Sequence, residues 1–188
     1  MSSITNKTAR VFLSSLAVIS ITAGLMSGCS KDEPKSAGVE LEIVPGVLPD
    51  VAKQIPLASA FSELLEASSL KETTSTTIKF TYFVPTDQAV ETYLSAKGMT
   101  KEALIADALQ LNTFVGDHIA SGELTATNLL NRTGESLTMV NGSSLVIGKS
   151  EASQVTLKND GMAEATLIAI DVPATNGLLQ LVNTVLAP

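Results

Sequence analysis

The sequence predicts an α+β domain, with mainly antiparallel β-sheets and several helices packed against them. Three observations carry this. Apolar residues recur at helical spacing through the first half of the domain. One alternating run, residues 78–84, interrupts them. The second half is made of short β-type runs joined by turn dipeptides. The chain has 188 residues, 45% hydrophobic and 16% charged, which suits one compact domain with an appendage. With aromatics at 4% and no Trp, its core must be aliphatic, and stacking platforms for bases are not expected.

The appendage comes first. "NKTAR" (6–10) supplies a basic start and "VFLSSLAVISITAGLM" (11–26) an apolar run, the layout of a secretory signal over residues 1–28. The single cysteine, Cys29, follows in "LMSGC". This resembles a bacterial lipobox, with Ser27 and Gly28 as the small residues, Met26 in place of the more usual Leu, and Cys29 as the lipidation site. A lone exported Cys has no intramolecular disulfide partner, and lipidation accounts for it. Residues 29–50 are rich in charge, Ser, Gly and Pro, and read as the acylated Cys with a flexible tether. "SKDE" directly after Cys29 resembles the short signal that sends some Bacteroidetes-type lipoproteins to the outer membrane. The implied location is the cell envelope, held to the membrane through an N-terminal lipid. Net charge is −7, and residues 1–28 carry Lys7 and Arg10 without an acid, so the remainder is more negative still. Such a surface argues against nucleic acid as a partner.

The globular domain spans residues 51–188. Leu57, Phe61, Leu64 and Leu65 fall on one helical face, and "KETTSTT" (71–77) is a polar break. Ile78, Phe80, Tyr82 and Val84 then alternate with Lys79, Thr81 and Phe83 as a strand with at least one buried face. Pro85 cannot donate to a ladder and ends it, and Thr86 or Asp87 caps the next helix. Thr100 is placed to cap a single helix over 101–115 with a stripe of Leu104, Ala108, Leu111 and Val115, joined by Ile105 and Leu109. Residues 116–124 read as a loop, or as a strand with glycines around it. "SLTMV" and "SLVIG" flank Asn141-Gly142, a hairpin signal, and "QVTL" and "EATLIAIDV" flank a second turn at "KNDGMA".

Three of these stretches resemble the signatures of the fasciclin (FAS1) domain family. "FTYFVPTDQAV" (80–90) is similar to its first signature, "LNTFVGDHIASGELTATNL" (111–129) to its central segment, and "ATLIAIDVPATNGLLQLVNTVLAP" (165–188) to its closing one. They stand in the family's order and cover roughly residues 50–188. The resemblance implies a FAS1-like fold and an adhesion or protein-binding module with a protein or cell-surface ligand as partner. It also points to the central loop, with Asp117, His118 and Ile119 as the candidate binding residues. Asp117 stands where the family has Tyr, so the integrin-binding role linked to that Tyr-His region in animal relatives is not carried over. Gln180 and Asn183 replace a common His and Asp.

Catalysis is not expected. His118 is the only histidine, and no Gly-x-Ser-x-Gly elbow, P-loop, dinucleotide glycine pattern or His-Glu-x-x-His occurs. Adjacent residues on extended backbone point to opposite faces, so Asp117 and His118 form no dyad. One His and one lipidated Cys make no ordinary zinc site, and "KNDGMAE" lacks calcium-loop spacing, so neither metal nor cofactor is expected. The alternative reading is an enzyme or a binder of a small apolar ligand, using a pocket near His118. The simplest expectation for His118 itself is a buried ring whose nitrogens bond backbone groups.

Overall fold

The computed structural model describes residues 9–11, 41–43, 46–74, 78–159 and 163–188. The apolar run of the expected signal beyond Val11, Cys29 and most of the expected tether lie outside the described residues. Two short strands, β1 (Ala9–Val11) and β2 (Leu41–Ile43), pair antiparallel in a ladder of their own. No helix among the described residues is long and apolar enough to cross a membrane.

Three helices come next among the described residues, and the periodicity predicts the second of them. They are α1 (Leu48–Ala52), α2 (Ser59–Ala67) after a 3₁₀ turn at Pro56–Ala58, and α3 (Leu70–Thr74), which occupies the start of the polar break. Leu48 is fully buried, so packed structure begins inside the stretch read as tether. Phe61, Leu64 and Leu65 are buried as their spacing predicts, whereas Leu57 lies outside the α2 stripe and is exposed.

Strand β3 (Phe80–Pro85) is buried at all six positions, and Ile78 is exposed outside it. Both faces of β3 are covered: Tyr82 and Val84 pack into a cluster with the helices, and Phe83 packs into a second cluster within the sheet. Helix α4 (Asp87–Ala96) follows at once, and the Thr86 hydroxyl accepts from the Ala89 N–H at 3.2 Å as its N-cap. Asp87 has a different task. Its carboxylate accepts from the Ala60 N–H at 2.7 Å and from the Ser59 hydroxyl at 2.8 Å, so it caps α2 from across the fold. Asp87→Ala therefore lowers stability by about 1–2 kcal/mol, the usual cost of a lost cap. A urea midpoint equal to that of the parent chain would contradict this.

The single helix expected over 101–115 is two: α5 (Lys101–Ala106) and α6 (Ala108–Gly116). Asp107 makes the break. Its backbone is extended, and its side chain accepts from the Leu109 and Gln110 N–H groups at 3.1 and 3.0 Å, which starts a new helix. Thr100 caps α5 as expected. Strand β4 (Ile119–Ser121) and helix α7 (Ala126–Asn131) lead to β5 (Ser136–Thr138), β6 (Ser144–Lys149), β7 (Val155–Lys158), β8 (Ala165–Ala174) and β9 (Gly177–Val182).

The Asn141-Gly142 turn joins β5 and β6 as an antiparallel hairpin, and β7 and β8 also pair antiparallel; the turn expected between them lies partly outside the described residues. Another hairpin, β8–β9, turns at Thr175–Asn176. The strand order is β4-β3-β9-β8-β7-β6-β5, antiparallel except for the parallel β3–β9 pair. A bridge between Ala120 and Met139 joins the two edge strands and closes the sheet on itself.

Candidate functional site

The end of α6 places the residues singled out by the sequence. Asp117 closes the last turn of the helix and His118 leads into β4, its carbonyl accepting from the Phe83 N–H at 2.8 Å. All three candidate residues are buried: Asp117 is 2% exposed, and His118 and Ile119 are 0% exposed. The candidate binding residues Asp117, His118 and Ile119 thus form no exposed loop: for His118 this is the buried ring expected from the sequence, and for Asp117 and Ile119 it corrects the expectation of a surface patch. Val115 and Ile119 are apolar and belong to the helical cluster, and they draw the polar pair between them inward.

His118 is structural. Its Nδ1 lies 2.7 Å from the Phe114 carbonyl, and the Leu186 N–H donates to Nε2 at 2.9 Å. A carbonyl only accepts and an N–H only donates, so these partners select the neutral tautomer with the proton on Nδ1. The ring packs against Phe61 and Phe114, with centroids at 5.3 and 4.9 Å. Burial pushes the imidazole down to about 4, opposed only by its bond to the Phe114 carbonyl. Neither nitrogen is free to act on a substrate.

Asp117 fastens the β5–β6 turn. Its Oδ1 accepts from Asn141 Nδ2 at 2.8 Å and from the Ser143 hydroxyl at 2.5 Å, and Asn141 Nδ2 also reaches the Thr113 carbonyl. Ile119 lies in β4, where its carbonyl accepts from the Val140 N–H at 2.8 Å beside the bridge that closes the sheet.

The departures in the closing segment are equally structural. Gln180, fully buried, accepts from the Asp171 N–H and donates to Asp171 Oδ1 and to the Leu124 carbonyl, all within 2.9 Å. Asp171 sits at a bulge of β8 with φ 57°, and its Oδ1 also accepts from the Ala126 N–H at the start of α7. Asn183 accepts from the Thr166 N–H.

Two features of the surface depart from the sequence reading. One is Leu109, expected to join the apolar stripe but 79% exposed on α6, because the break at Asp107 ends the continuous face. The other is a cavity of about 410 Å³ between α4, α5, α6 and the segment after β9, with Tyr93, Lys97, Met99, Leu104, Phe114 and Asp117 in its wall. Tyr93 and Phe114 contact each other at 5.4 Å, and Lys97 Nζ lies 5.6 Å from the Tyr93 ring centre. Its wall comes from α4, α5 and α6, separate helices whose approach no local spacing encodes. Among the described residues no cluster of His, Cys, Asp and Glu could hold a metal ion.

Comparison with known proteins agrees with the fold. Human periostin is 28% identical over 201 aligned positions, which take in the whole of this chain but 22% of periostin. A FAS1 domain pair from the insect cell adhesion molecule fasciclin I shares the fold, with a TM-score of 0.66 and 20% identity over 77% of this chain and 52% of that one. The chain thus spans only part of each relative. The fasciclin domain model matches residues 56–188, most of the chain, and the protein belongs to the fasciclin domain family.

Proposed function

We propose that this chain is a lipid-anchored, extracytoplasmic fasciclin domain that acts as an adhesion or protein-binding module at the bacterial cell envelope. Membership of the fasciclin family, one of whose solved relatives is a cell adhesion molecule, carries this reading. The buried polar groups fit it, since His118 and Gln180 are consumed by the fold and present no reactive arrangement. The basic start, apolar run and Ser-Gly-Cys at 27–29 support the anchor.

Cys29→Ala tests the anchor. The variant is expected to leave the membrane fraction, and a variant that stays there removes the lipid from the proposal. Cells that lose the chain are expected to bind one another or their substratum less well. Unchanged binding in such cells would count against the adhesion role.

A second reading, a small-ligand binder, is favoured by the cavity beside α6, which lies within the size range of ligand sites.

A further inference from the structure

The cavity beside α6 has an unusual combination of walls. Met99, Leu104 and Phe114 make it apolar, and Tyr93 adds an aromatic face. Yet Asp117, almost wholly buried, also reaches it. Oδ1 of that carboxylate already takes two donors, from Asn141 and Ser143, while Oδ2 takes no hydrogen bond among the described residues. The Tyr93 hydroxyl registers the charge: burial and, after it, the Asp117 carboxylate raise it above its ordinary value. A buried carboxylate with one oxygen unused, set among apolar and aromatic side chains, is matched by a cation on an aliphatic stem. The protein's own nearby cation, Lys97, stands over Tyr93 at the rim and makes no ion pair among the described residues.

We propose that this cavity binds a lysine side chain of a partner protein, its stem against Met99, Leu104 and Phe114 and its ammonium against Asp117. This deepens the protein-binding role and rests on it. Lysine fits better than arginine on geometry. A guanidinium fork needs both carboxylate oxygens for its paired bonds, and one of them is committed to the β5–β6 turn; an ammonium is a point charge and needs only one. The chain's net charge of −7 favours the approach of a basic partner.

The test uses the full chain in detergent with four probes: the N-acetyl methylamides of lysine, norleucine and arginine, and free hexylamine. Binding is read from the NMR signals of Met99 and Leu104. The lysine probe is expected to bind at least ten-fold more tightly than norleucine and more tightly than arginine. Equal binding of lysine and norleucine would overturn the site. Hexylamine binding with no binding of the lysine probe would make it a small-amine site and overturn the protein partner.

Asp117→Asn keeps an oxygen for Asn141 and Ser143 but removes the charge. It is expected to lose lysine binding at least ten-fold while norleucine is unaffected, and undiminished lysine binding would refute the role of Asp117. Should that variant not fold, Lys97→Gln decides. Removing the competing ammonium is expected to tighten lysine binding several-fold, and unchanged or weaker binding overturns the proposal. A wild-type chain that ignores the lysine probe while its cells still adhere overturns this site alone and leaves the module intact.

Discussion

Between pH 6.5 and 4 the domain is expected to lose stability steeply, and His118 is the reason. Burial pushes the imidazole down to about 4 in the folded protein, against 6.5 for an unperturbed ring. The unfolded chain therefore binds a proton in that window which the folded chain refuses, and stability falls as pH falls. It is complete above about 6.5 and stops declining below about 4. The shift corresponds to about 3 kcal/mol at roughly 1.4 kcal/mol per unit. A proton on Nε2 would face the Leu186 N–H, donor against donor, so protonation releases the segment that Leu186 anchors. Carboxylates titrate over part of the same range, so the measurement is a comparison. Urea unfolding of the parent and of His118→Gln, repeated across the window, should give a steeper fall in the parent. Parallel curves would remove His118 from the account. His118→Ala is expected to cost about 3–5 kcal/mol at neutral pH, because it opens a cavity and strands two buried backbone groups.

Gly177→Ala is expected to be at least as damaging. Gly177 opens β9 with φ 151°, and a methyl group there would lie 1.8 Å from the Phe80 carbonyl oxygen. The obstacle is backbone, in the strand at the centre of the domain, so no side chain can rotate away. Relief requires β3 and β9 to separate at the register pair Phe80–Gly177, where Phe80 also donates to the Asn176 carbonyl. The loss should be about 4 kcal/mol or more, in the range that marks outright steric failure. Gly98→Ala makes the control, since φ there is 64° but nothing lies within 4 Å. That change should cost only about 1 kcal/mol, for the backbone conformation alone. Similar urea midpoints for the two variants would show that the β3–β9 contact yields.

What the sequence disclosed follows the range of the interactions. The β3 strand, its stop at Pro85, the caps at Thr86 and Thr100 and the Asn141-Gly142 hairpin are local, and local patterns predict them. Asp107 shows the limit: one side chain turning onto its own backbone split a helix whose apolar stripe reads as continuous. Asn176-Gly177 has the same dipeptide as the Asn141-Gly142 hairpin and closes the β8–β9 hairpin, and its Asn also caps α1 by accepting from the Leu48 N–H, which no local pattern foretells. Asp87 at α2 and Asp171 at α7 do the same over long separations. Such bonds join residues that no spacing relates. The buried, backbone-bonded ring of His118 is the simplest expectation for a lone histidine, whereas the burial of Asp117 depends on its bonds to Asn141 and Ser143 across the fold. The fold class and family were legible; the accessible part of the site, set by how separate helices meet, was not.

The parallel β3–β9 pair has a consequence for how the chain acquires its structure. β3 is synthesised early, but its neighbour on one side comes from the far end of the domain, after every other strand. Until β9 arrives, β3 has one short antiparallel partner, and the backbone that Gly177 will approach has nothing to meet. Closing that loop is entropically slow, as for any sheet dominated by distant pairings. The β3–β9 pairing is therefore expected to be among the last contacts made, after the local hairpins have closed.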